Sequence, residues 1–417
     1  MSRCEPLIAR SGSSPGARGR LRRAALLAVG ALFLATVPIA HADEIDRLIV
    51  KTMQQERVPG MALLVMRSGK PVRRSTYGLA NVELRVPVRH DTMFQTGSLG
   101  KQFTATAVLL LQERGRISLD DPIGKYFPAQ PPEWAPITVR ELLDHTSGIH
   151  DSEEDGGEIF DLRREYTDEE MVKILQSYPL SFPPGSRWKY NNSGYILSGI
   201  LVTRITGMFY ADFLAKEVFR PLGMRTARII SDSDVIPNRA AGYVRTPTAI
   251  RNQDFASASL NATGDGSLYL SLDDWSAWIA AMDRGALLSP ASWSALWDRG
   301  KTRDGKLTEH GFCWDHLQLG GRDVIEFDGS WQGFRSAIER DPVTGFTVVL
   351  LANLAEAEPL PIARAVLERV AGLRSTAKNQ VISTASTANS GAVASRNAND
   401  FATNTIRKES IGAWRVE

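Results

Sequence analysis

Strand patterns lie at the two ends of this chain and helix patterns lie between them. This order constrains the fold more than any single motif, because one sheet can form only if the ends meet around a helical insert. Met61-Ala62-Leu63-Leu64-Val65-Met66, a turn at Ser68-Gly69-Lys70 and the segment from Val72 onward read as a hairpin. Asp323–Phe327, Phe334–Arg340 and Phe346–Ala352 read as three antiparallel strands, and Leu360–Ala371 as a closing helix. Between them, Thr138–Leu143 and Thr167–Leu175 are amphipathic, the second with Thr167 as cap and Glu170 three residues on. Tyr195–Phe219 reads as one longer helix interrupted near Thr206-Gly207, and Ser271–Met282 opens with Ser271 and Asp274 at capping-box spacing. The expected fold class is α+β, an antiparallel sheet flanked by helices with a mainly helical domain beside it. The α/β part takes residues of about 43–116 and 256–373, and the helical part about 117–255.

Neither end of the chain belongs to that fold. Arg18, Arg20, Arg22 and Arg23 precede an apolar run from Ala24 to Ala40, and Ala40-His41-Ala42 supplies a small-x-small exit before Asp43. Residues 1–42 therefore read as a secretory signal peptide, which places the mature protein in the periplasm or outside the cell. The alternative is an uncleaved anchor, but the run is short for a membrane span and stable insertion after cleavage is not expected. From residue 374 to 417 Ser, Thr, Ala and Asn dominate without apolar periodicity, the pattern of a disordered low-complexity tail. The full chain carries a net charge of +2; without residues 1–42, which hold six arginines and one glutamate, it becomes −3. A chain so near neutrality gives no reason to expect nucleic acid or an anionic membrane as a partner. Cys4 leaves with the signal segment, so Cys313 has no partner for an internal disulfide. Set between Phe312 and Trp314, it reads as a buried small residue rather than a nucleophile.

The chemistry starts at Ser98-Leu99-Gly100-Lys101, which opens a stretch apolar on most faces (Phe103, Ala105, Ala107 and Val108 to Leu111) and ending near Glu113-Arg114-Gly115. A serine at a helix start with a lysine one turn later sets hydroxyl and amine on one face. The amine can then manage the hydroxyl proton, and the helix N-terminus favours negative charge developing beside it. The same tetrad recurs at Ser186-Arg187-Trp188-Lys189, after the turn material Pro183-Pro184-Gly185, and at Ser375-Thr376-Ala377-Lys378 in the polar tail; neither context buries it. Tyr190-Asn191-Asn192-Ser193-Gly194-Tyr195 enters a helix from a loop. A tyrosine hydroxyl beside a lysine ammonium can act as base or as acid to a leaving group, and Asn192 can orient a substrate amide and the lysine together. At a strand edge, Phe327-Asp328-Gly329-Ser330-Trp331-Gln332-Gly333-Phe334 offers a glycine against which a substrate backbone can lie and a strand N–H for an oxyanion.

These segments, with Leu142-Leu143-Asp144-His145-Thr146-Ser147-Gly148, Phe182-Pro183-Pro184-Gly185 and Pro221-Leu222-Gly223-Met224, resemble the serine beta-lactamase-related family. That family includes class C beta-lactamases, D-alanyl-D-alanine carboxypeptidases, D-aminopeptidases and beta-lactamase-like esterases (the S12 type of peptidase). The resemblance runs from about Val58 to Gly372. It implies the beta-lactamase/transpeptidase-like fold, with the site in the groove between the α/β and helical parts. It implies Ser98 as the nucleophile that becomes an acyl-enzyme, and Lys101 as manager of its proton. Tyr190 would be base for acylation and acid for the leaving group. Asn192 would position substrate and lysine, and the N–H groups of Ser98 and Ser330 would form the oxyanion hole. One departure matters: where many relatives carry His or Lys two residues before the glycine of the third box, this chain carries Phe327. A group to recognise a substrate carboxylate is missing there, which fits an ester-hydrolysing relative better than a beta-lactamase or carboxypeptidase. Arg335 on the same strand segment is either a substitute cation or a surface strand residue.

The expected activity is hydrolysis of a small ester, amide or peptide, with no cofactor. The rival is a non-catalytic relative that binds cell-wall-like peptides or a protein partner. His145, His150 and Asp151 lack the spacing of a zinc hydrolase, so no metal is expected, and His145 reads as hydrogen-bonded within its own turn. No Gly-x-Ser-x-Gly elbow exists anywhere, which argues against the alpha/beta-hydrolase route. Trp331, Trp314 and Tyr195 are candidates either for groove lining or for core.

Overall fold

The computed structural model describes residues 39–153, 159–229, 233–266 and 268–373, with side chains from Glu44 onward. The expected signal segment, up to residue 38, and the expected tail from residue 374 lie outside the described residues. The chain divides into two units, residues 1–47 and 48–417. Of the first, the described part is the opening half of helix α1 (Ile39–Glu56). Among the described residues, no single helix is long and apolar enough to cross a membrane.

The second unit is built on a seven-stranded antiparallel sheet whose strands come from both chain ends. In chain order they are β1 (Gly60–Arg67), β2 (Lys70–Asn81), β3 (Val86–Pro87), β4 (Asp315–Leu319), β5 (Arg322–Trp331), β6 (Phe334–Asp341) and β7 (Phe346–Ala352). Their spatial order is β3-β2-β1-β7-β6-β5-β4, so the N-terminal hairpin and the C-terminal meander join where β1 pairs β7, Leu63 opposite Leu350. Both central strands are buried along nearly their whole length, which is why each reads as a continuous apolar run rather than an alternation. Consecutive residues of β6 show how the sheet is covered. Arg340 pairs with Asp283 on helix α7 (Leu272–Arg284) on one face. Glu339 pairs with Arg364 on the closing helix α9 (Pro359–Ala371) on the other.

After the N-terminal hairpin comes α2 (Lys101–Glu113), and the helical insert then supplies α3 (Val139–Leu143), α4 (Asp168–Gln176), α5 (Asn192–Thr206) and the short α6 (Tyr210–Leu214). Later in the chain, α8 (Pro290–Trp297) follows α7. The capping boxes expected at Thr167/Glu170 and Ser271/Asp274 are formed, and Thr138/Glu141 makes a third. The helix expected from Tyr195 starts earlier, at Asn192, because Asn191 caps it by accepting from the Gly194 N–H at 2.7 Å. Its expected interruption is a full break. Gly207 caps α5 in the left-handed conformation (φ 69°), and the following helical segment leaves at 77°. Two further elements lack a sequence signal strong enough to mark them: strand β4 at the sheet edge, and a small ladder of Tyr243–Arg245 with Ile250–Asn252 inside the segment expected to be helical.

Candidate active site

Ser98 sits in a single 3₁₀ turn (Gly97–Gly100) that runs directly into α2, so Ser98 and Lys101 lie one turn apart on the same side. Every residue of α2 from Lys101 to Leu111 is buried, as the apolar run predicts. Ser98 Oγ is 3.1 Å from Lys101 Nζ and 2.7 Å from the Tyr190 hydroxyl. Lys101 Nζ also donates to Asn192 Oδ1 at 2.7 Å and to the Asp265 carbonyl at 2.6 Å. Four side chains expected from two separate segments thus meet at one point, and the Asp265 carbonyl joins them.

The Tyr190–Asn192 segment is held by the loop that follows α3. His145 has a left-handed backbone (φ 61°), and its ring stacks on Tyr190 with centroids 4.7 Å apart. Its Nδ1 accepts from the Asn191 N–H at 3.0 Å. The hydrogen bond expected within the turn of His145 therefore runs instead to a segment 46 residues away. Asn191 Nδ2 donates to the Ile149 carbonyl at 2.8 Å, and the Asn192 N–H donates to Asp151 Oδ1 at 2.8 Å. His150, by contrast, stacks on Tyr178, with ring centroids 4.6 Å apart.

The third box lies on β5. A Cβ on Gly329 would fall 2.1 Å from the Thr96 carbonyl and 3.0 Å from the Ser98 nitrogen. A Cβ on Gly97 (φ 52°) would fall 2.4 Å from the Ser330 nitrogen. Two glycines thus let the strand and the Ser98 turn touch backbone to backbone, which brings the Ser98 and Ser330 nitrogens to one contact. The sequence offers room for a substrate as the reason for Gly329; contact within the chain is the nearer one. Ser336 Oγ donates to the Thr96 carbonyl at 2.6 Å and fastens the turn to β6.

Phe327 is only 4% exposed and its ring lies 5.5 Å from that of His310. Arg335 does not replace the missing cation. Its neighbour Ser336 faces the Ser98 turn, so Arg335 points to the opposite face of the sheet, where its Nε donates to the Ala355 carbonyl at 2.7 Å. Trp314 and Tyr195 are core residues, with the Tyr195 hydroxyl donating to the Leu143 carbonyl at 2.9 Å. Trp331 is half-buried and its indole N–H donates to Asn261 Oδ1 at 2.8 Å. Cys313 is buried, which pushes its thiol well above the ordinary range. The tetrad at Ser186 is a turn, its hydroxyl donating to the Pro183 carbonyl at 2.6 Å; the one at Ser375 lies outside the described residues.

Burial moves the two titratable groups beside Ser98 in opposite directions. Taking the Lys101 amine out of water lowers its pKa, against the pull of Asp265, Glu153 and Asp151. Burial raises the Tyr190 phenol well above its ordinary range, with the Ser98 hydrogen bond acting against it. His145 is held neutral by burial first, and then by His310 and Lys101. The Asp265 carbonyl and His310 are the two groups at the site that the sequence reading missed. Gly264-Asp265-Gly266 was a usable signal, since such a run permits close backbone approach, and Gly266 does pack against the Gly97 carbonyl. His310 sits in no motif.

A profile of the beta-lactamase family matches residues 45–373. Penicillin-binding protein 4* of Bacillus subtilis (strain 168) is 25% identical over 323 residues, covering 74% of this chain and 71% of that protein. Esterase EstB of Burkholderia gladioli is 34% identical over 204 residues, 46% of this chain and 52% of the esterase. Among solved structures, the octameric penicillin-binding protein homologue from Pyrococcus abyssi aligns with a TM-score of 0.70 at 25% identity, covering 79% of this chain and 77% of that one. The D-amino acid amidase from Ochrobactrum anthropi SV3 aligns at 0.66 and 24% identity, covering 79% and 98%. The fold is that of the penicillin-binding proteins and beta-lactamases, as the family resemblance implies. The chain belongs to the beta-lactamase family, the serine-hydrolase family that its sequence segments resemble.

Proposed function

We propose that this protein is a secreted serine hydrolase that cleaves an ester or amide through an acyl-enzyme on Ser98. The observation that carries the reading is that Lys101 Nζ and the Tyr190 hydroxyl both lie within 3.1 Å of Ser98 Oγ. A neutral lysine amine has two N–H donors and one lone pair. Here two acceptors, Asn192 Oδ1 and the Asp265 carbonyl, are in place for the donors, and the third neighbour is the Ser98 hydroxyl. Because burial cheapens the neutral amine and makes a Tyr190 phenolate costly, Lys101 takes the Ser98 proton as Ser98 Oγ attacks the carbonyl carbon. The Ser98 and Ser330 N–H groups stabilise the oxyanion. Tyr190 gives its proton to the leaving oxygen or nitrogen as that bond breaks, and regains one from Lys101. Water then repeats the sequence on the acyl-enzyme, freeing the acid and restoring Ser98.

An esterase and a D-amino acid amidase stand among the similar proteins, so both leaving-group chemistries are within reach. Phe327 favours uncharged substrates over those with a carboxylate beside the leaving group. The expected signal peptide supports action in the periplasm or outside the cell, on a small ester, amide or peptide. The expected pH dependence follows from the proton roles. The base must be unprotonated, so kcat/KM for an ester of an unactivated alcohol, such as benzyl acetate, rises with pH through the lowered Lys101 ionisation. It then holds until the raised Tyr190 ionisation removes the acid. A profile that falls as pH rises from about pH 5 toward about pH 9 would contradict this assignment.

A further inference from the structure

The leaving atom must accept its proton from Tyr190, so whatever surrounds the Tyr190 hydroxyl surrounds the leaving group. This rests on the reading of the site above. Trp188 lies two residues before Tyr190, in a segment without helix or strand, and is 36% exposed. Its ring lies 5.2 Å from that of His310. His310 is 2% exposed and meets three more rings, His145 at 5.1 Å, Phe327 at 5.5 Å and Tyr190 edge-on at 6.3 Å. Its Nδ1 is held by Asp315, while its Nε2 is buried without a hydrogen-bond partner. The wall running outward from Tyr190 is therefore made of aromatic rings packed mostly edge to face, and with His310 and Phe327 buried, Trp188 is its most exposed member.

We propose that Trp188, backed by His310 and Phe327, forms a leaving-group subsite that selects a neutral, ring-bearing alcohol or amine. A ring laid on Trp188 gains apolar burial and stacking. A carboxylate there gains no cation from the third box: Phe327 is a hydrocarbon ring and Arg335 is on the other side of the sheet. Trp188 sits one side chain removed from the hydroxyl that protonates the leaving atom, so the preference is expressed during acylation. Deacylation, which follows departure of the leaving group, is blind to it.

The test compares benzyl acetate with methyl acetate, which share an acyl group and have alcohols of similar acidity, by the ratio of their kcat/KM values. The wild-type ratio is expected to exceed about 10, the scale of one well-placed apolar contact. Trp188→Ala brings it toward one, and Trp188→Phe keeps most of it. Phe327→His, acting from the other end of the wall, lowers the ratio and raises turnover of an acetyl ester of glycolic acid. A wild-type ratio near one overturns the subsite, as does a ratio that both Trp188→Ala and Phe327→His leave unchanged while Ser98 still acylates. Absence of an acyl-enzyme from either ester in folded wild-type protein would instead remove the reading of the site, and this inference with it.

Discussion

Replacing Lys101 by methionine lowers kcat/KM by about 10²–10⁴-fold, the range set by a positioned general base. Methionine keeps the buried volume and removes the amine alone. Lys101 is fully buried and its Nζ serves Ser98, Asn192 and Asp265 together, so alanine would add a cavity to the loss of chemistry. Even methionine strands the Asn192 and Asp265 oxygens, at about 1–3 kcal/mol each, offset by relief from burying an amine. A thermal melt separates the two effects: a folded Lys101→Met variant that no longer acylates has lost its base. If that variant keeps acylating at the wild-type rate, Tyr190 is the base and the proton roles given above are wrong.

Gly97→Ala is expected to lower kcat/KM by about 10²–10³-fold, the usual cost of losing one oxyanion donor. The added Cβ would fall 2.4 Å from the Ser330 nitrogen, so the strand must move away from the Ser98 turn. A positive φ also strains any alanine there, by about 1–2 kcal/mol. Gly285→Ala isolates that strain: its φ is 60° and nothing lies within 4 Å of the new methyl. By urea unfolding Gly285→Ala should lose the strain alone and Gly97→Ala at least as much, because of its added clash with Ser330, while only Gly97→Ala loses activity. Equal activity in both would mean that the contact between the Ser98 turn and β5 does not serve the chemistry.

Much of this architecture was legible because its signals are local. The hairpin at Met61–Lys70, the C-terminal strands and the caps at Thr167 and Ser271 depend on neighbouring residues, and the structure has them where the sequence points. The start of α5 is less legible because its cap, Asn191, stands between Tyr190 and Asn192 in the Tyr-x-Asn motif and its bond to the Gly194 N–H has no signature apart from that motif. The depth of the site was not legible for a different reason. His145 reaches Asn191, Asp265 reaches Lys101, and His310 reaches Phe327, each across many residues and by contacts that leave no periodic trace in the chain. The family resemblance located Ser98, Lys101, Tyr190, Asn192, Gly329 and Ser330. What the folded chain adds is how they are held, and the directions in which burial drives Lys101 and Tyr190.

The most direct test of an acyl-enzyme on Ser98 is intact-protein mass spectrometry after exposure to a fluorophosphonate and, separately, to a penicillin, with Ser98→Ala as the control. A nucleophilic Ser98 predicts a mass increase with the fluorophosphonate that Ser98→Ala abolishes, and little or none with the carboxylate-bearing penicillin. No adduct from folded wild-type protein with either reagent, or an adduct that survives Ser98→Ala, would contradict it and favour a protein that binds its ligand without cleaving it.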